Sequence, residues 1–447
     1  MSKPKEIIEV TFEDLTHDAR GVCKIDGYPV FVKHALKGEK ALIEITKKYK
    51  SYGLGRLIRL KELSPFRKDP ICEHFATCGG CNLMHMDYQT QLDFKTFKTQ
   101  STLKKLGSIE TEITPTIGMQ NPLYYRNKAT FHFDQLDGKI YAGYYREGTH
   151  RVVDIHRCHT LPKIFSEILL ELKSIAEEGI VDVHALATPT GGLKRAIIRQ
   201  SLSSKEILIT LITHQKQSLK VNRINERLTK KFPLIMGIIH NVNSKAFGLG
   251  AKSDLIYGVD QIKETIGGMH YSINHRSFFQ VNAIQAETML EEIARKADLT
   301  GDETIIDAYA GVGHIGLSLA SRVQRVIAIE TVKKAVQEGL KAARYNHIDN
   351  IEFVEADAKD AIRELPSVDL LIVDPPRKGL HGEFIKSVLE KNIPKMIYVS
   401  CNVATLARDL NLLQAGGYVV EETTPLDMFP QTSHIESITR LTRSVSH

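Results

Sequence analysis

Hydrophobic and polar positions change rhythm three times along this chain. From residue 4 to 61 the apolar positions fall in short strand-like runs, "EIIEVTFEDL", "YPVFV", "EKALIEITKKY" and "SYGLGRLIRL", separated by "RG", "DG" and "KG". Runs of that length between glycine turns predict a small all-β barrel. The stretch "LSPFRKDP" (63–70), with two prolines, predicts a linker out of it. A helical stretch over 87–107 follows and ends at Gly107 with two lysines in its last turn. Strand-like runs return over 121–160, where Asp137-Gly138 signals a hairpin, and continue to about residue 260 through "KRAIIRQ", "EILITLIT" and "LIMGIIHNVN".

From about residue 283 helices and strands alternate. Helix "AIQAETMLEEIARKA" leads to strand "ETIIDAYA", then "RVIAIE", "IEFVEAD", "VDLLIVDPP", "KMIYVSC" and "YVVEETTPL", with helical segments between them. Repeated β-α units with buried β-branched strands predict an open, mostly parallel, Rossmann-like α/β sheet. With 447 residues, the chain is long enough for two or three domains. No apolar run approaches a membrane span and "MSKPKEIIEV" has no signal core, so a cytoplasmic protein is expected.

Charge sharpens the first domain. Residues 1–68 hold fifteen Lys/Arg against nine Asp/Glu, which accounts for the whole net charge of +6. Lys33, Lys37, Lys47, Lys48, Lys50, Arg56 and Arg59 decorate the predicted barrel, a combination suited to nucleic acid.

The α/β region carries the chemistry. Gly311-Val-Gly313-His-Ile-Gly316 follows a strand and opens a helix, where glycines admit a ligand close to the backbone, and Glu330 ends the next strand, where it can accept from a ribose. That pattern fits a dinucleotide or S-adenosylmethionine. Asp374-Pro375-Pro376-Arg377 closes the fourth strand at the edge where such sheets place their chemistry, and a dehydrogenase has no need of it. Cys401, in "YVSCNVATLARDL", stops the fifth strand just before a helix, where the helix dipole is expected to lower a thiol pKa, and reads as a nucleophile. Further back, "YYRNKATFHF" mixes Arg126 and Lys128 with aromatic residues, as single-stranded RNA contacts require.

With "SFFQVN" (277–282), "DAYAGVGHIG" (307–316), "DPPRKGL" (374–380), "SCNVATLARDL" (400–410) and "HIESI" (434–438) in that order, the chain resembles the RNA uracil-5-methyltransferases over essentially its whole length. The barrel is similar to the RNA-binding TRAM domain. The resemblance implies S-adenosylmethionine as methyl donor, Cys401 as the thiol that adds to carbon 6 of uracil, and Glu436 as the base, with His434 a weaker rival. It also implies cofactor contacts by Gln280, Tyr309, Glu330 and Asp374, the last able equally to hold the uracil edge, and stacking of a flipped base on Phe278. An amino-methyltransferase would follow Pro-Pro with an aromatic residue and need no thiol, and a catalytically dead RNA-binding protein would not need Cys401 and Glu436.

The cluster "CEHFATCGGC" places Cys72, Cys78 and Cys81 at metal-ligand spacing, with His74, His85, His156, His159 and Cys158 available to complete a set. Zinc suits a mixed set, and an all-thiolate set also suits a four-iron cluster. The resemblance is to members that carry a [4Fe-4S] cluster on four such cysteines, implying Cys72, Cys78, Cys81 and Cys158, in a structural and RNA-positioning role. The expected domains are 1–64 (barrel), 65–92 with 126–267 (central, cluster-bearing) and 93–125 with 268–447 (methyltransferase). Barrel and cluster together point to 23S ribosomal RNA before transfer RNA; no protein partner is implied, and a monomer is expected.

Overall fold

The computed structural model describes residues 7–185, 191–215 and 220–444, so the first six residues of the N-terminal segment discussed above lie outside it. The N-terminal residues form a six-stranded sheet in which Ile7–Thr11 and Lys40–Lys48 pair antiparallel, Gly53–Glu62 joins Lys40–Lys48 to Tyr28–Val32, and Gly21–Ile25 and Asp14–Leu15 complete the order. Gly21–Ile25, between the "RG" and "DG" separators and outside the strand runs read above, is also a strand, paired with Tyr28–Val32. Its Cys23 is fully buried among Val30, Val32 and Ile43, so it is a core side chain. The two-proline stretch is no free linker. Arg67 donates from Nη2 to Glu39 at 2.8 Å and to the His34 carbonyl at 2.7 Å, and Glu39 is fully buried, which ties the exit segment back to the barrel.

The central region is a seven-stranded sheet, ordered Val152–Asp154, Lys139–Tyr145, Lys128–Leu136, Leu193–Gln200, Ile207–Thr213, Ile235–Val242, Ser253–Gly258. The Asp137-Gly138 hairpin forms as expected, both residues at positive φ (51° and 76°). Helix Lys163–Glu177 covers the sheet through Phe165, Ile168, Leu169, Leu172 and Ile175, and helix Val221–Lys231 adds Ile224 and Leu228. Neither helix was singled out in the sequence, although the first shows the three-and-four spacing of a buried helix face.

The C-terminal sheet has eight strands: Ile351–Glu355, Arg325–Glu330, Thr304–Ala308, Leu370–Val373, Lys395–Ser400, Glu436–Arg443, Tyr418–Leu426 and Glu112–Ile113. The first five are parallel, and Glu436–Arg443 runs antiparallel between its two neighbours. Central strands such as Leu370–Val373 are buried on both faces, which explains their unbroken apolar runs. Helix Tyr88–Gly107, capped by the Asp87 side chain on the Thr90 N–H, packs on helix Val403–Ala415 through Leu103, Leu406 and Ala407. Residues far ahead in the chain thus complete the catalytic layer. Among the described residues no helix is long and apolar enough to cross a membrane.

Candidate active site

Chemistry-bearing residues gather where the parallel strands end. The strand Thr304–Ala308 runs into Tyr309 and the glycine loop, Arg325–Glu330 ends at Glu330, Leu370–Val373 runs into Asp374, and Lys395–Ser400 into Cys401. The antiparallel strand brings in a fifth member. Ser400 pairs with Ser437, so the next position along the register sets Cys401 opposite Glu436, on the same face. A strand running the other way begins where its neighbour ends, and this puts Glu436 at the catalytic edge.

The electrostatics of this group are coupled. Burial, then Glu436, then Asp374 push the Cys401 thiol up, against the guanidinium of Arg377 and a backbone N–H. The dipole-lowered thiol expected from the sequence is therefore overturned in the free protein, because desolvation and two nearby carboxyls outweigh the helix start. Burial pushes Asp374 up to about 7. Glu436, only 4% exposed, is held well above the carboxylate range by burial and Asp374, with Arg377 opposing. Two neighbouring carboxyls that cannot easily both ionise leave one of them able to accept a proton. His434 is held down to about 4 by desolvation and by the cations Arg377, Lys98 and Lys95, so its imidazole is neutral.

The glycine loop is built for a nucleotide-like ligand. Gly311 (φ 59°) donates its N–H to Glu330 Oε2 at 2.9 Å, and Val332 donates to Oε1 at 2.8 Å, fixing the acidic side chain at its strand end. At Gly313 (φ 77°) a β-carbon would meet the Phe353 ring at 2.7 Å. Gly316 donates to Asp307 Oδ2 at 2.8 Å, while the buried Asp307 Oδ1 and His314 Nε2 have no protein partner. Orphaned buried polar atoms beside a glycine loop, with Glu330 opposite, fit the polar groups of S-adenosylmethionine. Tyr309, itself at positive φ (64°), sets its ring edge-on to Phe384 at 5.7 Å.

Cys401 opens into a groove of about 710 Å³. One wall is the helix Tyr88–Gly107, with Phe97, Lys98 and Lys105; another is the barrel edge at Leu15, Thr16 and His17; Arg377, Asn402 and His434 floor it. Phe97 is exposed, and burial lowers Lys98 to about 8.

The barrel-edge and helix residues of this groove were not read from the sequence, because only folding brings those two elements to Cys401, Arg377 and His434.

The four cysteines Cys72, Cys78, Cys81 and Cys158 line a single small cavity of about 80 Å³, together with Phe75, Met84, Tyr144 and Arg126. All are free thiols. Burial raises Cys72, Cys78 (to about 11) and Cys81, and each also feels Cys158. A single zinc holds four sulfurs about 3.8 Å from one another, given Zn–S bonds of about 2.3 Å. Among the described residues no three of these sulfurs lie within 4.8 Å of one another. The cavity lining offers imidazoles as well as thiols. His74 and His159 line the cavity, His74 also lies beside Glu73 and His156, and His85 is buried against His34 and Phe75.

The remaining sequence candidates separate. Phe278 is 74% exposed and free to stack. Gln280 lies two residues on, its carbonyl accepting from Asn127 Nδ2 at 3.0 Å. Arg126 does not face outward to RNA: its side chain lines the cysteine cavity, where Cys158 and Cys81 reinforce its charge. Lys128 begins a central strand beside Arg199, and burial lowers it to about 8.

Comparison with known proteins agrees with this geometry. Residues 87–444 match the family described as tRNA (uracil-5-)-methyltransferase, and residues 2–58 match the TRAM domain. A protein of Bacillus cereus named an uncharacterized RNA methyltransferase is 37% identical over 98% of this chain and 97% of its own. A similarly named protein of Halalkalibacterium halodurans is 38% identical over 97% and 96%. The crystal structure of the Pyrococcus abyssi tRNA (uracil-54, C5)-methyltransferase in complex with S-adenosyl-L-homocysteine is 26% identical, with a TM-score of 0.78 over 97% of this chain and 100% of that one.

Proposed function

The chain belongs to the tRNA (uracil-5-)-methyltransferase family, and from that premise we propose that it methylates carbon 5 of uridine in 23S ribosomal RNA through a covalent Cys401 intermediate. The observation that carries this reading is the juxtaposition of Cys401 with Glu436 and Asp374 at one sheet edge, next to the glycine loop.

Carbon 5 of uracil is too weak a nucleophile to take a methyl group unaided. Cys401 loses its proton to water in the open groove, which leaves the carboxyl pair one free acceptor, and its Sγ bonds to carbon 6, sending the ring electrons toward the carbon-4 oxygen. S-adenosylmethionine, when bound at the glycine loop, supplies an electrophilic methyl to carbon 5. Glu436 then removes the carbon-5 proton, the carbon 5–carbon 6 double bond re-forms, and Sγ leaves as thiolate. Phe278 stacks on the flipped base, and Asp374 holds either its edge or the cofactor. Gln280, Tyr309, Gly311, Gly313 and Glu330 hold the cofactor.

The four cysteines are assigned a [4Fe-4S] cluster in a structural role. Four thiols lining one cavity, and the resemblance to cluster-bearing members, support it, and iron and sulfide analysis distinguishes it from zinc.

The resemblance to cluster-bearing, barrel-bearing enzymes supports ribosomal RNA. Transfer RNA is the second reading, favoured by full-length likeness to a protein titled a transfer-RNA enzyme, which weakens the presence of a barrel as a discriminator. Purified protein is incubated with methyl-labelled cofactor and 5-fluorouridine-substituted 23S or transfer RNA. A denaturation-stable adduct on 23S RNA, abolished in Cys401→Ala, is expected. An adduct on transfer RNA alone reverses the substrate assignment, and one insensitive to Cys401→Ala overturns the mechanism.

A further inference from the structure

Glu436 follows directly from the loop Asp427–Ile435, and much of what holds that loop comes from outside its own sheet. One wall is the long helix: Lys98 Nζ donates to the Ser433 carbonyl at 2.7 Å, and Gln91 exchanges bonds with both the backbone N–H and the side chain of Gln431. The other wall is the segment that follows Cys81. The N–H groups of Asn82 and Leu83 both donate to the Gln431 carbonyl at 3.1 Å. Asn82 Oδ1 accepts from the Ser433 N–H at 2.8 Å. Asn82 Nδ2 donates to Ser433 Oγ at 2.9 Å and to the barrel carbonyl of Asp18 at 3.0 Å. Beside it, Leu83 is fully buried with Ala19, Leu36, Met86 and Phe94, between the barrel and the helix.

We propose that Asn82 is a positioning residue for the base: its amide locks the Glu436-bearing loop to the cysteine segment and the barrel together. The inference rests on the reading of Glu436 as base given above. Gln431 sits at φ 69°, a conformation disfavoured for a residue with a β-carbon, and it is held there by bonds to its N–H, its carbonyl and its amide. The two bonds to its carbonyl come from the backbone N–H groups of Asn82 and Leu83, and the Asn82 side chain pins Ser433 two residues on, between Gln431 and Glu436. Cys401 enters the site from a different strand and makes no bond to Asn82. Loosening the clamp therefore spares thiol addition and methyl transfer, and slows only removal of the carbon-5 proton and release of the thiol. A segment whose cysteines are gathered in one cavity thereby acts on catalysis through geometry, with no electron passed.

The test uses full-length protein, unmodified uridine RNA and S-adenosylmethionine, read on denaturing gels. Glu436→Gln is expected to accumulate a covalent, methylated protein–RNA adduct that wild type does not. Asn82→Ala is expected to accumulate the same adduct at least tenfold above wild type, with unchanged iron and sulfide per chain and at least tenfold faster hydrogen exchange over residues 431–436. Asn82→Asp keeps the acceptor for Ser433 and loses both donated bonds, and is expected to fall between. The 5-fluorouridine adduct reports folding and thiol competence, and Asn82→Ala is expected to form it at the wild-type rate. If Glu436→Gln accumulates adduct while Asn82→Ala does not, or if exchange over 431–436 is unchanged, the positioning role is overturned. Loss of the fluorouridine adduct or of iron in both Asn82 variants overturns it too, by showing a general structural role. If Glu436→Gln itself accumulates nothing, the base assignment is what fails.

Discussion

Replacing Lys95 with methionine should cost about 4 kcal/mol at pH 7, and the cost should depend on pH in a defined sense. Lys95, on the helix Tyr88–Gly107, pairs with Asp427 at the start of the base-bearing loop, and both side chains are fully buried. Burial pushes the ammonium down and Asp427 opposes that. Methionine leaves Asp427 with the Tyr88 hydroxyl at 2.8 Å as its remaining side-chain partner. An uncompensated buried charge costs about 3–5 kcal/mol. The alternative is to protonate the carboxyl, which for an ordinary value near 3.9 costs about 4 kcal/mol at pH 7 and about 1.5 kcal/mol at pH 5. The cheaper route sets the ceiling. In the variant the folded carboxyl would titrate above its unfolded value, so the fold binds more protons than the unfolded chain between those two values, and stability falls as pH rises through that window. The deficit relative to wild type should widen from pH 5 to pH 7.

Because a chain of several domains need not unfold in one step, the measurement is hydrogen exchange of residues 88–107 and 427–435, alongside urea unfolding at both pH values. Lys95→Met with Asp427→Leu should recover most of the loss, since no charge is then stranded. A deficit below about 1 kcal/mol at pH 7, or one independent of pH, would refute the reasoning.

Three further outcomes follow from the site. Since Asp374 titrates at about 7 and the proton acceptors must be deprotonated to work, kcat/KM for RNA should rise about fivefold from pH 6 to pH 7; a flat stopped-time profile over that range would exclude the carboxyl pair as acceptor. Phe278→Ala should lower kcat/KM for RNA by about 5- to 150-fold, the equivalent of about 1–3 kcal/mol of base stacking, while Phe278→Tyr retains it and cofactor affinity by calorimetry is unchanged in both. At Gly316 a β-carbon would meet Val326 Cγ1 at 2.9 Å and Asp307 Oδ2 at 3.1 Å, so Gly316→Ala should weaken S-adenosylmethionine binding about tenfold or more by displacing the Asp307 bond; undiminished calorimetric affinity would show the loop is not the cofactor site.

Much of this protein is legible in local patterns. The alternating segment from residue 283 announces a parallel sheet because strands buried on both faces must be apolar throughout, and Gly311 and Gly313 mark a loop that only residues tolerating positive φ can form. Helix Tyr88–Gly107 is written in its cap and its last-turn lysines. What escaped was non-local. Gly21–Ile25 pairs with Tyr28–Val32 and Asp14–Leu15, so its strand character lies in its partners. Arg126 looked like an RNA contact beside aromatic residues, and only packing turned it toward the cysteines.

The sequence by itself singled out the candidate side chains: Cys401 at a strand end, the glycine loop, Asp374 before two prolines, and four cysteines at ligand-like spacing. The tertiary structure decided what surrounds them. The antiparallel entry of Glu436–Arg443 sets Glu436 opposite Cys401, and the loop before it meets Asn82 from some 350 positions earlier in the chain. Burial and neighbouring carboxyls then raise Cys401, where the helix start alone suggested the reverse. Reactivity depends on desolvation and on charges brought within a few ångströms by distant segments, and neither quantity exists until the chain has folded.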